Sequence, residues 1–439
     1  MSEQQFSQQE PEEELRKRIS AGSASSKDYR ELGGLLFLSG NSDEAVELYQ
    51  QAITMSSTNI QKAAVTIELG LLFYEMSEQA KAQMLAEDAL RLLSNESDSH
   101  EMLACQGAGQ SLLAHCTVVK NAESGKELIR VALETLDRVT GNGPNFEGKT
   151  TAYLDAATLH HLLGNVDKAT SLCEKFLQRE LQEWERIYGL MVYGQALRSA
   201  ERFGEAEQKI EEALRYAPKY KSLLAHLYLE LGLDQWRMQR SAGAQQTFQK
   251  ALLALAADPY RHLKAHLSKE IYMNLAGVYY ELGDLREAAA TYQAVLESTI
   301  ENDPDHYGAL LWLGRCFQGT GAHAEARTCF EKVLALPTIS KDEKLGARED
   351  IARTFYQLRE YGNALTAFKE LLLSYPEDNP RQSNVIIWMG HCHEGLGDHG
   401  KARECYEEVL ALPHALAGDK ISARKGLRRL PPSGKQTFH

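Results

Sequence analysis

Residues 312–337 read WLGRCFQGTGAHAEARTCFEKVLALP, and residues 388–413 read WMGHCHEGLGDHGKARECYEEVLALP. Fifteen of the 26 positions are identical at an offset of 76 residues. Halving that offset uncovers the unit. The segments GDLREAAATYQAV, GAHAEARTCFEKV, YGNALTAFKELL and GDHGKARECYEEV set small residues at Ala288, Ala326, Ala364 and Ala402, each 38 apart. The same anchor falls upstream at Ala45, Ala82, Ala169, Ala206 and Ala244, with gaps of 37, 87, 37 and 38, and Ala244 stands 44 before Ala288. The 87-residue gap leaves room for one degenerate unit anchored near Gly125, which brings the total to about ten. A period of this size signals a repeat array, which grows in one dimension instead of splitting into separate domains.

Each unit predicts two helices and a turn. In residues 26–57, Tyr29, Leu32 and Leu36 recur at i, i+3 and i+7, one face of a helix. Gly40-Asn41 then breaks it, since both residues tolerate left-handed backbone, and Ala45, Tyr49 and Ala52 stripe the second helix. Pro218, Pro337, Pro376 and Pro413 follow second helices and mark their ends.

The order of residue types in the units resembles the tetratricopeptide (TPR) motif. One unit reads Leu190, Tyr193, Gly194, Leu197, Ala206, Ile210, Ala213, Pro218; another Tyr228, Leu231, Gly232, Gln235, Ala244, Phe248, Ala251; a third Leu310, Leu313, Gly314, Phe317, Ala326, Phe330, Val333. The family's usual period is about 34 residues, and the longer period here also resembles kinesin light chains and Rap-type regulators. The resemblance implies an all-α, right-handed superhelical solenoid of about ten TPR-like helix-turn-helix repeats. The array is expected over residues 26–417, with polar tails at 1–25 and 431–439 and a basic capping helix at 418–430. Residues 101–150 carry CQGAG and NAESG where aromatics are expected, so that segment is expected to be a weak joint of the array.

The resemblance further implies an inner groove lined by first helices. Counting along the motif puts Trp236, Arg237, Asn274, Tyr280, Trp312, Arg315, Arg353, Tyr356, Trp388 and His391 there, beside Leu311, Gln318, Asp350 and Glu394. Trp, Tyr and Arg dominate binding hot spots, so these are the candidate peptide-binding residues. Trp312 and Trp388 hold the same place two units apart, where a role in packing neighbouring first helices competes with one in binding. The carboxylate clamp of TPR co-chaperones is not carried over. Asn274 matches one of its asparagines, but Leu229, Leu233, Gly308 and Trp312 occupy its other positions. The expected function is a protein- or peptide-binding scaffold or adaptor, and the alternative is a peptide-sensing regulatory module like the Rap-type proteins.

Other chemistry finds little footing. Net charge is −13, a poor match to nucleic acid. No run approaches the ~20 apolar residues that span a bilayer, and seven scattered cysteines fit reduced thiols, so a cytoplasmic setting is expected. GPNFEGKT at 143–150 satisfies the P-loop spacing, which would make Lys149 and Thr150 phosphate and Mg²⁺ ligands. The preceding ELIRVALETLDRV has helical rather than strand spacing, so an inter-repeat loop is expected and no enzyme. His391, Cys392, His393 and His399 look metal-like, yet neighbours two apart on a helix diverge, and Cys392 and Cys405 repeat the positions of Cys316 and Cys329. They are expected to be packing positions, with no metal and no cofactor.

Overall fold

The computed structural model describes residues 6–431 apart from 40, 77, 119–120, 142–146, 218–220, 257–260, 302, 338 and 377–378. Among the described residues there are 22 α-helices and no strand. The ten first helices are α2 (Ser26–Ser39), α4 (Asn59–Glu75), α6 (His100–Val118), α8 (Glu147–Leu162), α10 (Glu183–Ser199), α12 (Lys221–Arg237), α14 (Arg261–Leu282), α16 (Pro304–Thr320), α18 (Lys341–Gln357) and α20 (Arg381–Gly395). Each is followed by a second helix: α3 (Ser42–Met55), α5 (Gln79–Leu93), α7 (Ala122–Thr140), α9 (Val166–Leu177), α11 (Phe203–Tyr216), α13 (Ser241–Ala256), α15 (Leu285–Ser298), α17 (His323–Ala335), α19 (Tyr361–Ser374) and α21 (His399–Ala411). Helices α1 (Phe6–Ser20) and α22 (Ala417–Arg429) flank the array. The chain forms two compact units, 1–274 and 275–439.

The repeat is held by one lock. Every alanine anchor is fully buried near the start of its second helix. Twelve residues before the anchor, on the first helix, stands a glycine or alanine; four residues after it stands a bulky side chain, except at Ala86 and Cys173. A Cβ built on Gly232, Gly314 or Gly390 would lie 2.5, 2.5 or 2.6 Å from the rings of Phe248, Phe330 and Tyr406. All three rings are 0% exposed. Ile210 takes that place against Gly194, at 2.8 Å from the built Cβ. The missing side chain is the socket for the ring, and close packing of this kind fixes the approach of the two helices.

The turn is equally regular. Five residues before the anchor the backbone is left-handed: Gly164, Gly283, Gly321 and Gly397 have φ of 74°, 84°, 82° and 78°. Glu201, Gln239 and Arg359 adopt the same conformation at φ of 59°, 59° and 60° without being glycine. A residue with a Cβ pays roughly 1–2 kcal/mol there, against a glycine entropy cost of roughly 0.5–1 kcal/mol. Arg359→Gly is therefore expected to stabilise its repeat by about 0.5–1 kcal/mol, and Gly321→Ala to destabilise it by a similar amount. Urea unfolding checks both; a loss of stability in Arg359→Gly would contradict the argument.

Two expectations are corrected. Residues 1–25 are not wholly a polar tail, because 6–20 form α1. Its Leu15 is 4% exposed and joins the core of Leu32, Leu36 and Leu48. Arg16 bonds Glu44 at 2.7 Å and Arg18 bonds Asp28 at 2.7 Å. One leucine and a partly buried Ile19 among eleven charged and polar neighbours give too weak a stripe to read. The second correction concerns 101–150. Helix α6 packs against α4, α5, α7 and α8, and ten of its residues are buried. A Cβ on Gly107 would stand 2.6 Å from Leu136, and one on Gly109 would stand 3.2 Å from Leu90. The small residues admit leucines from neighbouring helices in place of aromatics from their own, so α6 is closely packed. Gly125 serves as its anchor, with Val118 Cα 2.5 Å from where a Cβ would stand. The tail positions 1–5 and 432–439 lie outside the described residues.

Candidate functional site

The site is built on the joint between consecutive first helices. In two of these joints, residues 11 and 8 before one anchor make polar contacts with the residue 14 before the next anchor. In the first unit, Gln195 donates to Glu230 at 2.7 Å, and Arg198 bonds the Glu230 carboxylate, its carbonyl oxygen at 3.0 Å and Asp234 Oδ1 at 2.5 Å. In the second unit, Arg315 takes the Gln195 role and bonds Asp350 at 3.0 Å. Gln318 takes the Arg198 role, donating to the Asp350 carbonyl at 2.9 Å and to Thr354 at 2.6 Å.

The flanking joints of the second unit are aromatic. Tyr280 meets Trp312 edge to face at 5.1 Å between ring centres, and the Arg315 guanidinium lies 4.6 Å over the Trp312 ring. Tyr356 meets Trp388 at 5.3 Å, with Arg353 5.4 Å over that ring and Phe368 stacked on it at 6.1 Å. Such pairs each contribute about 0.5–1.5 kcal/mol beyond area burial. Joint residues thus run Trp312, Asp350, Trp388, an alternation that accounts for an echo at 76 residues rather than 38.

Beside these joints, α16, α18, α20 and the start of α22 line a half-open cavity of about 490 Å³. Helix α16 presents Tyr307, Leu311 and Arg315 at a spacing of four residues, one face of the helix. Helix α18 presents Asp342, Glu343, Gly346, Glu349, Asp350 and Arg353; Arg381, Asn384 and Asp419 close the far side. The wall is ordered by its own capping. Ser340 accepts from Glu343 N at 3.3 Å, and Glu343 accepts from Ser340 N at 2.7 Å, a reciprocal capping box that starts α18. Asp350 is 2% exposed, and burial raises its pKa against the pull of Arg315 and Arg353. Burial likewise raises Glu349, which pairs with Arg353.

Of the ten predicted residues, Arg315 and Arg353 line this cavity. Trp312, Tyr280, Tyr356 and Trp388 sit in the joints beneath it, partly buried. His391 lies further along α20, 5.6 Å from Trp388 and 2.7 Å from the Tyr406 hydroxyl, and burial lowers its pKa. Asn274 turns its amide back on its own helix, to the Glu270 carbonyl at 2.8 Å. Trp236 and Arg237 end α12 in the first unit, the former partly buried and the latter exposed. Sequence reading missed the N-terminal half of the cavity. Stepping back four or seven residues from Leu311, Asp350, Arg353, Trp388 and His391 would have reached Tyr307, Glu343, Gly346, Arg381 and Asn384.

The other motifs resolve into packing. Residues 143–146 lie outside the described residues, but Lys149 is 3% exposed in the first turn of α8, and its ammonium donates to the Gly141 carbonyl at 3.0 Å. Cys316, Cys329, Cys392 and Cys405 are all buried, and burial pushes the Cys392 thiol up to about 12. Among the described residues no group of His, Cys, Asp and Glu is placed to hold a metal ion. Nor, among them, is any helix long and apolar enough to cross a membrane.

Three family models of the tetratricopeptide repeat match the chain, one at 25–95 and 268–339, one at 229–298 and one at 384–413. The Intraflagellar transport protein 88 homolog of Homo sapiens is 20% identical over 161 residues, 36% of this chain and 19% of that protein, so the chain spans about one-fifth of that curated relative. Among solved structures, the C-terminal part of a TPR repeat-containing protein from Cytophaga hutchinsonii is similar at 15% identity and a TM-score of 0.45, over 61% of this chain and 98% of that one. Pseudomonas aeruginosa pilF is similar at 15% identity and a TM-score of 0.40, over 56% and 99%. With the anchor, lock and turn repeated down the helix pairs and the family models matching along the chain, this is a tetratricopeptide repeat protein, a helical-repeat scaffold for protein interaction.

Proposed function

We propose that the chain is an adaptor that holds a segment of a partner polypeptide in the cavity between α16, α18, α20 and α22. The observation that carries this reading is the composition of the wall: three successive first helices and the flanking helix each supply part of it, and no repeat makes it alone. A stacked array generates such surfaces by repetition. In this reading Arg315 and Arg353 face the partner, while Trp312 and Trp388 chiefly hold the wall in register.

Site-specific photocrosslinking tests it. A benzoylphenylalanine at Asn384, in the wall, is expected to capture polypeptide from a cell extract. The same residue at Leu373, 87% exposed on the second helix α19, is expected to capture little. The reverse pattern would move the binding surface to the outer face of the array.

A further inference from the structure

The cavity also carries information about its occupant, an inference that rests on the proposed binding role. Five carboxylates and three guanidiniums line it, an excess of two negative charges. The pairing sharpens the imbalance. Arg315 and Arg353 are engaged with Asp350 and Glu349. Among the described residues Asp342, Glu343 and Asp419 make no salt bridge, although Glu343 accepts from Ser340 N and Asp419 from the Ser383 hydroxyl, against Arg381 alone on the basic side. The helix N-termini that would favour an anion are already answered, since Glu343 caps α18 and Asp419 stands in the first turn of α22.

Gly346 adds room to the same wall. It lies inside α18, lines the cavity, and a Cβ added to it would meet nothing within 4 Å. Glycine within a helix costs about 1 kcal/mol relative to alanine. At Gly314 or Gly390 a ring fills the vacant place, whereas at Gly346 nothing in the protein does. The vacancy widens the cavity instead of packing it. Beside it, Tyr307 and Leu311 offer apolar surface, the lining that suits an alkyl stem with a charged head.

We propose that this cavity takes an arginine or lysine side chain of a partner polypeptide, its stem over Gly346 and its charged head toward Asp342, Glu343 and Asp419. The test uses the full chain and fluorescein-labelled Gly/Ser peptides with a central Arg-Arg, Lys-Lys, Gln-Gln or Glu-Glu pair, followed by anisotropy. Saturable binding of the Arg-Arg and Lys-Lys peptides is expected, weakening as salt rises. Gly346→Leu is expected to weaken it about tenfold or more, equivalent to ~1.4 kcal/mol, with helicity unchanged. Asp342→Asn alters an exposed side chain and is expected to weaken it severalfold, which keeps the test decisive if the leucine variant fails to fold. No saturable binding of either basic peptide overturns the proposal, as does binding that neither variant affects. Binding of the Glu-Glu or Gln-Gln peptide that Gly346→Leu abolishes overturns the cationic occupant and leaves the adaptor reading standing. Failure of the Asn384 crosslink together with tight basic-peptide binding at Gly346 separates the two the other way.

Discussion

Arg198→Ala is expected to destabilise repeats α10 to α13 by about 3–5 kcal/mol, because it leaves buried carboxylates without their counter-charge. Asp234 is 0% exposed and Glu230 8%, and Arg198 bonds both. Burial raises the Asp234 pKa, and the Arg198 guanidinium pulls it back down. Opening free energies from hydrogen exchange of the α10 and α12 amides measure the loss, since a repeat array need not unfold as one cooperative unit. The second unit suggests the repair. Gln318 and Thr354 occupy the places of Arg198 and Asp234 and make the same joint with neutral groups. The double variant Arg198→Gln, Asp234→Thr is therefore expected to recover only part of the loss, because Glu230 then keeps the neutral Gln195 where Asp350 has Arg315. If the single variant costs less than ~1 kcal/mol, the joint is a surface ion pair in energetic terms.

The other large effect sits in the lock. Phe330→Ala is expected to cost about 3–5 kcal/mol, the range for emptying a buried aromatic site. Phe330 is 0% exposed and its ring fills the vacancy at Gly314, which has no side chain to relax into the space left behind. Adding Gly314→Leu to Phe330→Ala returns volume from the opposite wall, and is expected to recover part of the loss in thermal unfolding. Full stability in Phe330→Ala alone would mean that α16 and α17 are held chiefly by their neighbours rather than by their own ring and socket.

Much of this was legible because repetition multiplies a weak local signal. Ala326 alone says little, but alanines at one phase of the period say helix pair, and the glycine or alanine twelve residues before each says close approach. Features that break the phase were hidden. Helix α1 lies outside the repeat and offers Leu15 and a partly buried Ile19 to the core. Helix α6 keeps the architecture with Gly107 and Gly109 where aromatics are usual, and its packing partners come from α5 and α7, which its own sequence does not show. The cavity was half legible. Arg315 and Arg353 could be placed by counting along one helix, but the acids at the starts of α18 and α22 read as ordinary first-turn residues. Only the stacking of α16, α18, α20 and α22 turns them into a wall. Trp312 and Trp388 were read from the abundance of tryptophan in hot spots, and they sit where consecutive first helices meet.

The alternation of joints also bears on how such a chain lengthens. Copying 76 residues carries one aromatic joint and one polar joint together, so each new first helix meets the neighbour it was shaped for. Copying 38 would set the Arg315 and Gln318 grip against a second tryptophan, or Tyr356 against a second aspartate, and the new contact would need remodelling before it held. The unit of folding here is one hairpin, but the unit that can be inherited whole is two.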